Sequence, residues 1–414
     1  MSIILSNGYR ETAEVEFSGK HPDIFMTYAM ARLVKNLAEK THEIDSNGSG
    51  LLGRFRADLN GQLGTVRHEP GKVTPIRLSI AGQLVIPDGV DFEGIAYQTL
   101  EEQLRESGYL DTGNFSLDNA IIDHSRITPQ AININATSNG NKFADSAIAY
   151  GHYIRPPHGI HGTFPSLEVA KKIDETLDNL VRLKKNELMP DGKVHVTVEH
   201  RKDGFDVVDV YLSVAHAPGL NSDYRETIKK HIIANLPEYR LGRAHWHINE
   251  GDFDQYFIQA DSGVSKAKDP EIITGGLHQL GTDKVWGKCM YKASSVIIPY
   301  AFALSRAVAE ETGAGFASVR VSSKYGQKEA DIEIADLDFF LGDDRPCISD
   351  ALQHMPRDRK QILGLLGMDT GIAAYRQFND VAGFHGNDKP WKQHNAGLRA
   401  LFHKHLSNAI SDNE

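Results

Sequence analysis

Apolar residues recur at helical spacing in three long stretches of the chain, each set among shorter runs that alternate apolar and polar positions. The first stretch follows His21-Pro22-Asp23 and predicts a helix over roughly Phe25–Glu39. The second predicts a helix over Ser166–Lys185. There Pro165 precedes a Ser cap, and Leu167, Val169, Ile173, Leu177, Leu180 and Val181 share one face. The third, dense in Ala, Val and Ile, covers Ala293–Glu311 and is closed by Gly313. Shorter helical patterns fall near Phe92–Ser107 and Ser222–Ala234. Period-two runs rich in β-branched residues predict strands over Thr74–Ile86, Lys193–His200, Val207–Val214 and Ala317–Ser323. Lys202-Asp203-Gly204 joins two of these as a hairpin turn. Hairpin strands punctuated by long helices indicate an α+β class rather than a doubly wound sheet. Two polar stretches, Ser46–Gly64 and Thr137–Lys142, read as mobile lids.

Composition narrows the class of partner. The 414 residues leave room for two to four domains at ~100–200 residues each. With 40% hydrophobic and 24% charged residues the chain has an ordinary globular make-up. A net charge of -10 argues against duplex nucleic acid or an anionic membrane as general partners. Cys289 and Cys347 are too few for a disulfide framework and suit a reducing compartment. The amino terminus turns polar after a short apolar run, unlike a secretory leader. No stretch approaches the ~20 apolar residues of a membrane helix. A cytoplasmic location is expected.

The densest chemistry lies between Asp261 and Lys292. Lys266, Lys268, Lys284, Lys288 and Lys292 are interleaved there with Gly263, Ser265 and Gly287. Lys288 and Lys292 stand four apart, and the spacing places both on one face at the opening of the third helix. Cations there oppose the helix dipole at a cost of ~0.3–1 kcal/mol each. An anion held at the same place reverses the sign, because backbone N–H groups and ammonium groups then converge on it. Triphosphate is the natural guest of such a pocket; a solvated lysine face is the alternative. The chain has no Walker A pattern, since Gly287-Lys288 is followed by Cys289, and no well-placed G-x-G-x-x-G. In His21-Pro22-Asp23, proline fixes the start of the helix and Asp23 is placed either to cap it or to hold a hydrated Mg²⁺. His158, His161, His245 and His247 lack zinc-site spacing and read as surface or core residues.

Together and in order, these pieces resemble the methionine adenosyltransferase (S-adenosylmethionine synthase) family. Phe17 to Asp23 resembles its GHPD box, and Ala144 to Gly151 its GDQG…FGYA segment. Pro190 to Thr197 is similar to RPDxKxQVT, and Tyr211 to His216 to the VxSxQH strand. Phe253 to Lys268 tracks the block around GGPxGDxGLTGRK, and Gly287 to Lys292 resembles GKDPxK. Ala382 to Trp391 is similar to the late YGHFGRxxxPWE signature. The resemblance implies three similar α+β domains about a pseudo-threefold axis, drawn here as 1–135, 136–254 and 255–414 with interleaved segments. It implies a homodimer, or a tetramer of paired dimers, with active sites between subunits. It implies ATP and methionine or a related amino acid as substrates, and Mg²⁺ and K⁺ as cofactors. By position, His21, Lys193, Lys268, Lys288 and Lys292 are expected around the triphosphate. Phe253 is expected on the adenine, with Asp191, Asp261 and Ser265 on polar groups of the substrates. Asp145 is expected on the amino-acid ammonium, Asp23 on Mg²⁺, and Glu69 on K⁺ by loose alignment.

The chain departs from the pattern at Ile24, Ala267 and Ser294, where the family has lysine, arginine and a metal-site aspartate. It departs again at Gln83 and Ile127, near an amino-acid-binding carboxylate and a glutamine. Lys266 or Asp283 are the candidates to substitute in space. An adenosyltransferase with a rebuilt site, a family enzyme of altered chemistry and a non-catalytic nucleotide-binding homologue all remain open.

Overall fold

The computed structural model describes residues 8–17, 20–45, 55–65, 74–112, 115–129, 142–156, 159–160, 162–184, 187–217, 219–250, 263–282, 285–290, 292–338, 345–368 and 395–411, with Ile372, Arg376 and Asn379. Phe253, Asp261, Glu69, Asp283, Lys284, His158, His161, most of Thr137–Lys142 and the segment 382–391 lie outside them.

Three sheets organise the described chain. In the first, β1 (Arg10–Glu16) pairs antiparallel with β6 (Leu188–Arg201), which continues through the expected turn into β7 (Gly204–His216). A short parallel strand, β8 (His245–Ile248), closes that edge. Helices α3 (Pro165–Leu183) and α4 (Asp223–Asn235) supply its core, with Leu167, Ile173, Leu177 and Ile228 packed against Val194, Val196 and Val210. In the second sheet β10 (Phe316–Ser323) lies between β5 (Ala147–Ile154) and β11 (Asp331–Asp338). In the third, β2 (Arg56–Thr65), β3 (Thr74–Val85) and β4 (Phe115–Thr128) are joined by the two-residue β9 (Gly263–Val264). Each sheet thus unites segments far apart in the chain, within an α+β architecture.

Helix α1 (Pro22–Ile44) lies under the third sheet and α2 (Phe92–Ser107) beside it. Asp91 caps α2 at one end and left-handed Gly108 closes the other. Helix α6 (Ala293–Thr312) is buried almost all round, as a helix apolar on every face must be. Gly313 ends it at φ 75°, as its place in the sequence indicates. Among the described residues, no helix is long and apolar enough to cross a membrane.

Two expectations need correction. Much of Ser46–Gly64 is strand, not lid: from Arg56 onward it forms β2, with Ala57, Leu59 and Leu63 facing the core. Gly61 hides the alternation because it occupies a core-facing position where an added Cβ would lie 2.4 Å from Met26. The second concerns Lys288 and Lys292. Helix α6 starts at Ala293, so both lysines precede it and helical spacing does not bring them together. Asp58 on β2 does, through a backbone bridge to Lys288 and an ion pair with Lys292.

Candidate functional site

The site is organised by the turn from Gly263 to Lys268, which is fastened on both sides. Val264 N donates to Asp23 Oδ1 at 2.7 Å and Lys266 N donates to Thr27 Oγ1 at 2.8 Å, which ties the turn to the first turns of α1. Ser265 N donates to Gly61 O at 2.9 Å, and Gly61 N donates to Ser265 Oγ at 2.8 Å, which ties it to β2. Lys266 sits at φ 68°, a conformation a non-glycine residue holds only where its surroundings enforce it. Gly263 is required by close approach: an added Cβ would lie 2.1 Å from Pro22 O. Gly263→Ala is therefore expected to push the turn off α1. Melting temperature should fall by several degrees, and ligand affinity with it, in thermal and binding measurements.

From this turn the lysines diverge to two carboxylates. Lys268 reaches Glu16, the last residue of β1. Glu16 Oε1 lies 2.7 Å from Lys193 Nζ and 3.0 Å from Lys268 Nζ, and Oε2 lies 2.8 Å from His21 Nδ1. The contact with Lys193 follows from strand register, which sets Glu16 directly opposite it. His21 is the N-cap residue of α1 and is nearly inaccessible. Burial opposes ionisation of Glu16, but His21, Lys193 and Lys268 outweigh it and hold the carboxyl at about 2. Glu14 and Glu271 border the group. Burial, with Glu16 nearby, pushes Glu271 up to about 7. Lys268 and Lys193 are raised by these carboxylates against the opposing effect of burial.

Lys266 reaches instead to Asp58 on β2. Its Nζ lies 3.0 Å from Oδ1, and Lys292 Nζ lies 3.1 Å from Oδ2. Lys288 joins them through the bridge that pairs it with Asp58. Here too burial opposes the charge, and Lys266, Lys288 and Lys292 together bring the Asp58 carboxyl down to about 2. Burial lowers Lys266 despite its carboxylate. Lys292 also donates to Gln83 Oε1 at 3.2 Å, and Lys288 to Ser294 Oγ at 3.4 Å. Two of the departing positions therefore belong to this cluster. Ile24 is packed in the hydrophobic core, Ala267 is exposed, and Ile127 pairs with Gly82 at the sheet edge.

The expected lysines thus form two groups within one chain, one around Glu16 with His21 and one around Asp58. Lys193 and Lys268 pair with Glu16, and Lys266 and Lys292 with Asp58, while Lys288 stands beside Asp58 on the bridge. Asp191 lies deeper, with Lys20 and Tyr109, both of which feel its charge. Lys20 contacts Asp178, and burial takes its ammonium down to about 8. Asp145 is exposed at the start of β5, its carboxylate accepting from Ser146 N at 2.8 Å, and contacts neither group. His247 stacks on Tyr211 and bonds Glu250 at 2.7 Å.

Glu16 and Asp58 are the residues the sequence reading missed. One signal was present: Glu16 falls between Val15 and Phe17 immediately before His21-Pro22-Asp23, and a carboxylate in apolar company needs a cationic partner. Both carboxyls sit near 2, against ordinary values of 4.5 and 3.8, so they stabilise the fold above those ordinary values. That stability is lost as pH falls through about 2. Each contributes on the order of 2–3 kcal/mol at neutral pH, to be read as a drop in denaturation midpoint between pH ~5 and ~2.

Ligand atoms of Glu16, His21 and Asp23 lie within 4.8 Å of one another, as do those of Glu14, Glu16 and Glu271. Asp23 offers a carboxylate oxygen of the kind a hard, hydrated divalent cation takes, whereas Glu16 has no exposed side-chain surface and already faces two ammonium groups.

No family model matches the chain, and no curated protein sequence matches it. Its fold is similar to a solved structure described as an unusual S-adenosylmethionine synthetase from Campylobacter jejuni. The TM-score is 0.75 at 18% sequence identity, covering 96% of this chain and 100% of the other. At that identity the likeness shows the fold alone, and the fold of this chain is that of an S-adenosylmethionine synthetase.

Proposed function

We propose that the protein transfers the adenosyl group of ATP to a thioether amino acid, methionine or a relative of it, and that water then hydrolyses the expelled triphosphate to phosphate and diphosphate. The observation that carries this reading is the pair of lysine groups around Glu16 and Asp58, fastened to one turn, with His21 buried in the first. The thioether sulfur attacks the ribose C5′ while the bond from C5′ to oxygen breaks. The electron pair leaves on the triphosphate and the sulfur becomes a sulfonium. A thioether has no proton to lose, so no general base is needed. What needs stabilising is charge on the leaving oxygen, and cations already in position do this. His21 donates a hydrogen bond to that oxygen, and Lys193 and Lys268 hold the phosphates beside it. Lys288 and Lys292 grip the distal phosphates.

Because the groups are distinct in one chain, we propose that a site forms where the His21 group of one subunit meets the Lys288 group of a second in a homodimer. Asp23 would hold Mg²⁺, which shields phosphate charge when bound. K⁺, with Glu69, remains part of the reading through resemblance, as do Phe253 and Asp261 on the nucleoside and Asp145 on the amino acid. One observation favours a second reading: Gln83, in place of a carboxylate expected to grip the amino acid, is bonded to Lys292. An acceptor other than methionine, or triphosphate cleavage alone, follows from that change.

Incubation with ATP, methionine, Mg²⁺ and K⁺, followed by mass spectrometry, distinguishes the two. S-adenosylmethionine as product is the expected result. Phosphate release without an adenosylated product would overturn adenosyl transfer to methionine and favour the second reading.

A further inference from the structure

We infer that Asp58 is an internal counter-anion: in the free protein it occupies the place that an oxyanion of bound polyphosphate takes, and so it sets polyphosphate affinity. The inference rests on the polyphosphate reading of the lysine groups. Asp58 engages Lys266 through one oxygen, at 3.0 Å, and Lys292 through the other, at 3.1 Å, with Lys288 beside it on the bridge. One carboxylate thus faces Lys266, Lys288 and Lys292, and Asp269 adds a further attraction on Lys266. The ammonium groups are held where water gives little help, since the Lys266 and Lys292 side chains are 3% and 10% exposed. The Asp58 side chain is 24% exposed, more accessible than either lysine it pairs with.

The strand around Asp58 is fixed. Leu59 N donates to Gly287 O at 2.9 Å and Cys289 N donates to Ala57 O at 2.8 Å. Displacing the carboxylate therefore takes a side-chain rotation and leaves β2 in place. The exchange replaces one negative charge by several, against ammonium groups already aimed at the spot. Gln83 gives Lys292 a neutral acceptor meanwhile, which orients the ammonium without adding a second competing charge. The cost of the exchange is the loss of two charge-assisted contacts to Asp58, and that cost is subtracted from every polyphosphate the site binds.

Inorganic tripolyphosphate is the probe, titrated calorimetrically into the full-length wild type and Asp58→Asn near neutral pH at fixed ionic strength. The variant is expected to bind about tenfold more tightly or better, from two contacts no longer displaced. Its melting temperature is expected to be lower without ligand, and to rise more on adding tripolyphosphate than that of the wild type. Equal or weaker affinity overturns the inference. Should Asp58→Asn fail to fold, the same substitution on a Lys292→Gln background removes one anion and one cation together. It must then bind more tightly than Lys292→Gln alone, and an unchanged affinity again overturns the inference. A wild type that does not bind tripolyphosphate overturns the polyphosphate reading and this inference together. A wild type that binds with no gain in the variant overturns only the role of Asp58.

Discussion

His21→Ala and Lys288→Ala are each expected to lower the rate of sulfonium formation by ~10²–10³-fold, the cost of removing one charged donor from a developing oxyanion. The two variants differ in which group they damage. His21 belongs to the Glu16 group and Lys288 to the Asp58 group. If a site takes one group from each of two subunits, a mixed dimer of the variants carries one doubly damaged site and one intact site. Co-refolding equal amounts should then restore roughly a quarter of wild-type activity, since about half the dimers are mixed and each has one good site of two. Variants that stay inactive on mixing would place both groups in one chain's site. Full activity in both single variants would remove His21 and Lys288 from the chemistry altogether.

Glu16→Gln is expected to lower stability by about 3–5 kcal/mol, because a buried charge set that loses its common partner keeps the desolvation cost without the attraction. Glu16 has no exposed side-chain surface and holds Lys193, Lys268 and His21 at once. Denaturant unfolding near neutral pH reads the loss. The gap between wild type and variant should narrow by about 3 kcal/mol as pH falls from 4.5 through 2, where the wild-type carboxyl takes up its own proton. A gap independent of pH would mean that the change acts through packing rather than charge. Polyphosphate should restore part of the lost stability, since it offers Lys193 and Lys268 another anion.

How much of this was legible in the sequence depended on whether the signal was local. The helices over Phe92–Ser107 and Ala293–Thr312 were readable because periodicity and terminal glycines lie within the segment itself. The hairpin from β6 to β7 was readable for the same reason. β2 was not, because Asn60, Gly61 and Gly64 mimic a loop while Gly61 meets a close approach from Met26 and Met30. The strands β1, β4 and β5 went unread as well: β1 is dominated by charged residues, and β5 is interrupted by Gly151 and His152.

The site divided along the same line. The lysines between Lys266 and Lys292 were visible as a group because they cluster in the chain. Their counter-ions were not, because Glu16 meets Lys268, and Asp58 meets Lys266, only after strands remote in sequence have paired. A single pocket was therefore expected where the folded chain has two groups. Helical spacing at Lys288 and Lys292 pointed to the correct pair for the wrong reason, since Asp58 sets them together through a bridge to Lys288 and an ion pair with Lys292.

The account turns on whether those lysines hold phosphates. A crystal structure of the protein with Mg²⁺ and a non-hydrolysable ATP analogue tests this directly. The account predicts phosphate oxygens within hydrogen-bonding distance of Lys193 and Lys268 on one side and Lys288 and Lys292 on the other, with His21 at the oxygen bound to C5′. Phosphates bound elsewhere, with Glu16 and Asp58 still clasped by their lysines, would contradict it.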